Sequence, residues 1–170
     1  KDFKFTFNVG TTVNEIRYYT TTNPYYGFGA EQNGTVTMYH YRTTTLNLQQ
    51  ILNYSHNFGK HNISVMLGHE SYKYNYAELS ASKKNMFSYW GNHELNGAVI
   101  DGSSAASYSN DYNTEGYFFR ALYDYDAKYY FSASYRRDAS SRFHPDHWWG
   151  NFYSVGGAYL MSKEDWFDVK

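Results

Sequence analysis

The sequence has no cysteine and only 2 prolines among its 170 residues. Without cysteine there is no disulfide framework and no thiolate metal site, and cysteine usage says nothing about the redox compartment. No apolar run approaches the roughly 18 residues that a membrane-spanning helix needs. Helical periodicity is nearly absent as well, which argues against a helical domain.

Strong charge of either sign is also missing. The formal net charge is -1, so the composition does not indicate a nucleic-acid surface, and we expect no nucleic-acid partner. The sequence has no phosphate-binding loop, no dinucleotide fingerprint and no nucleophile elbow. We therefore predict that the chain is not an enzyme and that it has no catalytic residues, metal or cofactor.

Aromatic residues are abundant. They make up 22% of the chain, and 21 of them are tyrosines. Leucine, isoleucine, valine and alanine, which fill most soluble cores, are scarce by comparison. Tyrosine combines an apolar ring with a polar tip, so this composition suits surfaces that are half apolar and half wet.

Apolar and polar residues alternate with a period of two along much of the chain. Phe3, Phe5 and Phe7, for example, are separated by Lys4 and Thr6. This alternation is typical of strands with one apolar face. It predicts an all-β chain of about six strands, at roughly 2–17, 36–57, 61–79, 115–125, 129–138 and 150–161.

The predicted connections differ in length. Tight turns are expected at 58–62 and 126–128, whereas long polar loops are expected at 18–35, 80–114 and 139–149. Short periplasmic turns, long outer loops and aromatic residues near strand ends are typical of an antiparallel transmembrane β-barrel. A soluble β-sandwich also alternates with period two. The alternative is therefore a secreted glycan-binding module that uses exposed tyrosine and tryptophan.

Six strands do not close a membrane barrel, because the smallest have eight. An open edge in lipid leaves backbone groups unpaired at a cost of several kcal/mol each. We therefore expect the chain to be an internal segment of a longer protein.

The segment 123–167 resembles a stretch of the SusC/RagA family of TonB-linked outer-membrane proteins of Bacteroidetes. The family pattern S-A-S-x-R-x-D-[GA]-S-S-R-F is followed by W-G-x-F-x-S-V. The matching residues are Ser132, Ala133, Ser134, Arg136, Asp138, Ala139, Ser140, Ser141, Arg142 and Phe143, then Trp149, Gly150, Phe152, Ser154 and Val155.

A second segment, 52–72, resembles an earlier hairpin of the same barrels. The chain departs conservatively from the family pattern at Ala139, Tyr153 and Tyr159, where glycine, proline and tryptophan are common. The stretches 18–45 and 80–114 match no part of the pattern, as expected of variable outer loops.

The resemblance implies a 22-stranded barrel, with 1–170 forming part of it and the plug domain and remaining strands absent. It also implies an outer-membrane location, contact with outer-membrane lipid, a TonB complex and a SusD-like lipoprotein. The implied activity is TonB-dependent active import of oligosaccharides or peptides.

Strand 129–138 is expected to rise to the outer surface and strand 150–161 to return. Tyr130, Arg136 and Asp138 are the predicted substrate-path residues, because they would face the lumen. The alternative for Arg136 and Asp138 is a salt-bridged rim that fixes the loop. The predicted structural rim and family-motif residues are Arg142, Phe143, Trp149, Gly150 and Phe152.

Two groups of histidines are candidate metal sites in the sequence. The first comprises His56 and His61, which flank a predicted tight turn, with His69 and Glu70 at the opposite strand end. The second comprises His144, Asp146 and His147 on a predicted loop. The histidines of the first group do not converge in the simplest strand register, and the second group fits a solvated loop.

Overall fold

The computed structural model describes residues 2–91, 93–164 and 166–167, and for 101–103 it describes the backbone alone. The strands of this part of the chain form one sheet in the order β1-β2-β3-β4-β5-β6, which confirms the all-β prediction. Their bounds are Phe3–Thr22, Thr35–Phe58, His61–Met86, Ala98–Tyr125, Tyr129–Ser140 and Trp149–Tyr159. Among the described residues, no helix is long and apolar enough to cross a membrane.

Five strands are longer than predicted, and β5 exceeds its prediction only by its last residues, to Ser140. β3 continues to Met86 and β4 begins at Ala98, so the loop prediction for 80–114 is wrong over most of its length. β1 likewise extends to Thr22 and β2 begins at Thr35. These extensions contain threonine, serine and other polar residues, which pair as strands without the apolar alternation used to find them.

Two tight turns lie where the sequence placed them. Asp126 and Ala127 have φ of 54° and 50°, and the Lys128 N–H donates to the Tyr125 carbonyl over 2.9 Å. Positive φ at both central residues gives a type I′ turn, whose twist matches the twist of the flanking strands. β2 and β3 are joined at Gly59 and Lys60, and Gly59 has φ of 66°. Both hairpin predictions are confirmed.

Short 3-10 helices lie between or after the strands. They span Gly27–Gln32, Leu95–Gly97, Pro145–His147 and Met161–Lys163. The last of these begins two residues after β6 ends at Tyr159, whereas the sequence predicted strand to 161.

The chain divides into two compact units. The first comprises 1–11, 46–73 and 112–170, and the second comprises 12–45 and 74–111. In the second unit Val36, Met86 and Ala98 are buried and Leu95 packs against them. These are the buried hydrophobic residues of the described chain, so the first unit has no interior core of its own.

The first unit presents two chemically different faces. In β5, Phe131, Ala133 and Tyr135 alternate with Ser132 and Ser134. In the pairing of β5 with β4 and β6, apolar residues lie beside apolar residues or glycine, and polar residues lie beside polar ones. Phe131 lies between Tyr123 and Gly157, and Ser134 lies between Arg120 and Ser154. One face is therefore apolar and aromatic, and the other is polar.

Side-chain contacts extend the polar face to the earlier strands. Polar pairs join β1 to β2, β2 to β3 and β3 to β4: Asn8 to Gln49, Ser55 to Ser64, and Asn62 to Asp124. The apolar face carries Phe5, Leu52 and Leu67, which line one shallow groove with Tyr117 and Phe119.

The apolar face lacks cover from the described chain. Phe5 is 66% exposed, Phe131 58% and Val155 85%. A sandwich would bury such residues against a second sheet, whereas the described strands form a single one. The structure thus argues against the soluble sandwich, and the exposed apolar area calls for an apolar environment.

Candidate functional site

Arg136 and Asp138 lie together near the end of β5, on the polar face of the first unit. Nε of Arg136 lies 2.8 Å from Oδ1 and 2.7 Å from Oδ2 of Asp138. A guanidinium nitrogen of Arg136 also lies 3.8 Å from Oε2 of Glu70 on β3. The two carboxylates thus hold one guanidinium at a fixed place on the sheet.

Aromatic rings flank this arginine on both neighbouring strands. Arg136 pairs with Phe118 of β4 and Phe152 of β6, and its guanidinium carbon lies 5.8 Å from the centre of the Phe118 ring. Asp138, one row further along, pairs with Gly116 and Gly150. The aspartate therefore stands between two residues without side chains, and the arginine stands between two rings.

Two glycines make this arrangement possible by close approach. A methyl group at Gly116 would lie 2.7 Å from Oδ1 of Asp138. A methyl group at Gly68 on β3 would overlap the ring of Phe118. The space that these glycines leave is filled by side chains from the adjacent strands, as when an aromatic ring covers a glycine in a sheet.

This part of the polar face borders a groove of about 460 Å³. Its wall includes Glu70, Arg136, Asp138, Phe143 and Phe152. Charged groups beside aromatic rings suit a polar ligand, because the rings offer faces for stacking and the charges accept or donate hydrogen bonds.

Tyr130, the third predicted substrate-path residue, lies apart from this pair. It is six residues from Arg136, about 20 Å along the strand. Its hydroxyl donates to the Ala127 carbonyl over 2.8 Å, next to the tight turn. The structure therefore brings Arg136 and Asp138 together and leaves Tyr130 at the other end of the same polar face.

The predicted rim residues lie in and beside the β5–β6 loop. The Trp148 indole N–H donates to the Phe143 carbonyl over 2.8 Å, and the Arg142 guanidinium lies 4.4 Å from the centre of the Tyr112 ring. The Ser140 N–H donates to the Trp148 carbonyl over 3.1 Å. The two hydrogen bonds and the contact of Arg142 with the Tyr112 ring hold the loop in place, whereas the Arg136–Asp138 pair faces the groove.

Trp149 lies at the end of the opposite, apolar face. Its ring stacks on Tyr117 with 6.0 Å between centroids, and the Arg137 guanidinium carbon lies 4.7 Å from its centre. Tyr117 in turn stacks on His69 at 4.8 Å, and His69 Nε2 lies 2.7 Å from Oε1 of Glu115. We call Arg137, Trp149, Tyr117 and His69 the girdle cluster.

The histidines are distributed over separate places. His56 contacts Asp2 at 3.0 Å, His61 contacts the Tyr123 hydroxyl at 2.7 Å, and His69 belongs to the girdle cluster. His144 lies 3.5 Å from Asp146, with His147 beyond. Across the described residues, no group of three or more histidine, aspartate or glutamate side chains could hold a metal ion.

The turn end of the first unit is joined by ion pairs. Nζ of Lys60 lies 2.9 Å from Oδ2 of Asp126, and this hydrogen bond lowers the pKa of the Asp126 carboxyl. Glu164 accepts hydrogen bonds from the Tyr129 hydroxyl at 3.0 Å and from Lys128 at 3.3 Å. The tyrosine contact contributes most to the lowered pKa of Glu164.

Sequence reasoning found some of these residues and missed others. Arg136 and Asp138 are two apart in one strand, so alternation alone put them on the same face. Glu70, Phe118 and Arg137 were not predicted as residues of this site, because their places beside it depend on the strand register. The predicted tight turns could have identified part of this register, since a turn fixes which residues of a hairpin stand opposite each other.

A single antiparallel sheet with one exposed apolar face and one polar face is the pattern of a transmembrane β-barrel wall. Comparisons with known proteins agree with this class. No protein-family model matches the chain. TonB-dependent receptor P3 of Formosa agariphila is 30% identical over 169 residues, covering 96% of this chain and 16% of the receptor. TonB-dependent receptor P39 of the same organism is 30% identical over 125 residues, covering 69% and 11%.

Solved structures show the same fold. The structure of the RagAB peptide transporter matches 95% of this chain and 18% of its own, with a TM-score of 0.82 and 24% identity. The RagAB peptide importer in its open-open state matches 94% and 18%, with a TM-score of 0.79 and 25% identity. The chain spans less than a fifth of the length of these proteins.

The resemblance predicted from the sequence is therefore confirmed, and the chain belongs to the TonB-dependent receptors, as a stretch of their β-barrel. The matched proteins are receptors and transporters rather than enzymes. This confirms the prediction that the chain is not an enzyme.

Proposed function

We propose that the chain forms part of the wall of an outer-membrane TonB-dependent active transporter that imports oligosaccharides or peptides. In this proposal residues 1–170 belong to a 22-stranded barrel whose other strands and plug domain lie elsewhere in the full-length protein. The proposed partners are the TonB complex and a SusD-like lipoprotein. The proposed site of action is the outer membrane, with the apolar face against lipid.

The two-faced sheet of the first unit carries this proposal. Exposed aromatic and aliphatic side chains suit contact with lipid acyl chains, and the opposite face suits a polar lumen. The similarity to curated TonB-dependent receptors supports the transport class. The likeness to a peptide transporter supports peptide as one cargo class, while the tyrosine-rich composition is compatible with sugar as the other.

Within the lumen, Tyr130, Arg136 and Asp138 are the proposed substrate-path residues. Arg136 and Asp138 are half exposed, at 50% and 35% of their side chains, and they face a groove bordered by aromatic rings. A guanidinium already held by two carboxylates keeps its position without a ligand. It can therefore present its remaining N–H donors to a passing hydroxyl or carbonyl at little entropic cost.

Uptake by the full-length transporter tests the proposal. A strain lacking the gene would be complemented with the wild type and supplied with labelled peptide mixtures or labelled oligosaccharides. Uptake of one class that requires both the gene and TonB supports the transporter and identifies the cargo. Equal uptake of both classes with and without the gene contradicts the proposed function.

The substrate-path role is tested separately with an Arg136→Ala plus Asp138→Ala double variant. If the pair contacts cargo, uptake should fall about tenfold or more, the size expected when one charge-assisted contact is lost. A Lys60→Gln plus Asp126→Asn variant is the matched control, because it removes an ion pair from the turn end. Unchanged uptake by the first variant, at equal surface abundance, would reject the substrate-path role.

A further inference from the structure

Arg137 is a charged residue on the apolar face of the first unit. It follows Ala133 and Tyr135 along that face of β5, and its strand partners are Tyr117 and Asn151. The side chain is exposed. Its neighbour Arg136 points to the polar face and is paired with Asp138 at 2.7 Å. The two adjacent arginines therefore meet entirely different environments.

Arg137 is held by a ring rather than by an acid. Its guanidinium carbon lies 4.7 Å from the centre of the Trp149 ring, and Trp149 is braced by its stack on Tyr117. The structure pairs Arg137 with no carboxylate within the part of the chain it describes. A guanidinium stacked on a ring keeps its N–H donors at the edge of its plane, where an anion can accept them.

The position of Arg137 limits what that anion can be. An arginine on a lipid-facing surface costs about 2–4 kcal/mol at the bilayer midplane and about 0–1 near the interface. Tryptophan and tyrosine are enriched at the membrane–water interface, because each has an apolar ring and a polar group. The girdle cluster therefore indicates the depth of the headgroups, at the end of β5 opposite the tight turns. Phosphate is the anion that lipid headgroups supply there.

We propose that Arg137, seated on Trp149, binds the phosphate of a lipid in the outer leaflet. Charge complementarity selects this occupant, and the planar guanidinium matches two phosphate oxygens at once. Asn151, directly across from Arg137 on β6, accepts a hydrogen bond from the Tyr135 hydroxyl at 2.8 Å. The inference rests on the membrane placement in the proposed function.

Lipid retention by the full-length protein tests this site. The wild type and the variants Arg137→Gln and Arg137→Lys would be reconstituted into nanodiscs of phosphatidylcholine doped with phosphatidic acid of the same chains. Retained lipids would then be counted by native mass spectrometry after detergent release. Arg142→Gln is the matched control, because Arg142 also lies over a ring, that of Tyr112, but belongs to the β5–β6 loop.

We expect the wild type to retain phosphatidic acid in preference to phosphatidylcholine. Arg137→Gln should lower that preference about fivefold, the effect of one basic residue near an anionic surface. Arg137→Lys should retain part of the preference through its charge, and Arg142→Gln should match the wild type. An unchanged preference in Arg137→Gln, or a lysine variant no better than the glutamine variant, would overturn the assignment.

A failure of membrane placement is recognised independently. Heat-modifiable mobility in gels reports whether the wild type and each variant form a barrel in lipid. A wild type that forms no barrel contradicts the proposed function and this inference together. An inserted wild type with no preference for phosphatidic acid contradicts the inference alone.

Discussion

The ammonium of Lys60 lies 2.9 Å from the carboxylate of Asp126, so the turn between β2 and β3 is tied to the turn between β4 and β5. The Asp126 N–H also donates to the Lys60 carbonyl over 2.7 Å. Two turns far apart in sequence are thus joined by one backbone bond and one ion pair. The backbone bond can persist when the ion pair is removed, which makes the charge separately testable.

The ion pair should make stability depend on pH at the acidic end. The pKa of Asp126 is lowered in the folded state, mainly by the hydrogen bond from Lys60. Its contribution to folding is therefore complete above the unfolded pKa of about 3.9 and is lost as pH falls through the lower folded value. Asp126→Asn keeps a residue that tolerates the positive φ of this turn. It should lower the unfolding temperature slightly at pH 7, and this difference should shrink as the pH falls through the lowered pKa of Asp126, as measured by thermal melts of the full-length protein.

A methyl group at Gly68 should be far more damaging than one at Gly10. Gly68→Ala would place its methyl in the Phe118 ring and should destabilise the sheet by about 1–3 kcal/mol, the usual cost of overpacking. At Gly10 the nearest atom is Cβ of Asn47 at 4.0 Å, so Gly10→Ala is the control. Phe118→Leu combined with Gly68→Ala should recover part of the loss in denaturation experiments. Equal effects at both glycines would contradict the close approach.

Two substitutions at Tyr130 should distinguish a structural role of this residue from contact with cargo. Tyr130→Phe removes the hydroxyl that bonds Ala127 and keeps the ring, so we expect uptake within about twofold of wild type, since one neutral hydrogen bond contributes little net free energy. Tyr130→Leu removes the ring and should lower uptake if cargo stacks there. A leucine variant that transports like the phenylalanine variant would remove Tyr130 from the substrate path.

The isolated 170-residue chain should require detergent. Phe131, Tyr153 and Val155 are 58%, 84% and 85% exposed, and β1 and β6 each have one neighbour in the sheet order. Exposed apolar area and unpaired strand edges both promote association in water. Size-exclusion chromatography should show aggregates without detergent and small particles with it. A monomeric species in plain buffer would contradict the lipid-facing role of the apolar face.

The sequence predicted those parts of the fold that depend on local chemistry. Phe3, Phe5 and Phe7 indicated a strand by alternation, and the stretch from Tyr125 to Lys128 indicated a hairpin by its length. The first part of β4, residues 98–114, was missed because serine, glycine, asparagine and aspartate predominate from residue 101 onward, so pairing with β3, not side-chain pattern, makes it a strand. A pattern within one segment of the sequence does not reveal the strand with which that segment pairs.

For the candidate site, too, the sequence predicted what depends on local pattern and missed what depends on strand pairing. Alternation placed Arg136 and Asp138 on one face, and the family pattern drew attention to both. Glu70 and Phe118 reach the site only through the registers of neighbouring strands, which a one-residue slip would invert. Contact between this site and the transported cargo is not visible in the strand register, so the substrate-path role of Arg136 and Asp138 stays a prediction.

The small side chain of Ala139 restricts which residues can stand at position 149 in related sequences. It is paired with Trp149 on one side and Glu115 on the other, and its single methyl leaves room for the Trp149 ring to reach Tyr117 two strands away. A larger side chain at 139 would collide with the Trp149 ring unless residue 149 were smaller. In related sequences the two positions should therefore change together, with a small residue at one accompanying a large ring at the other.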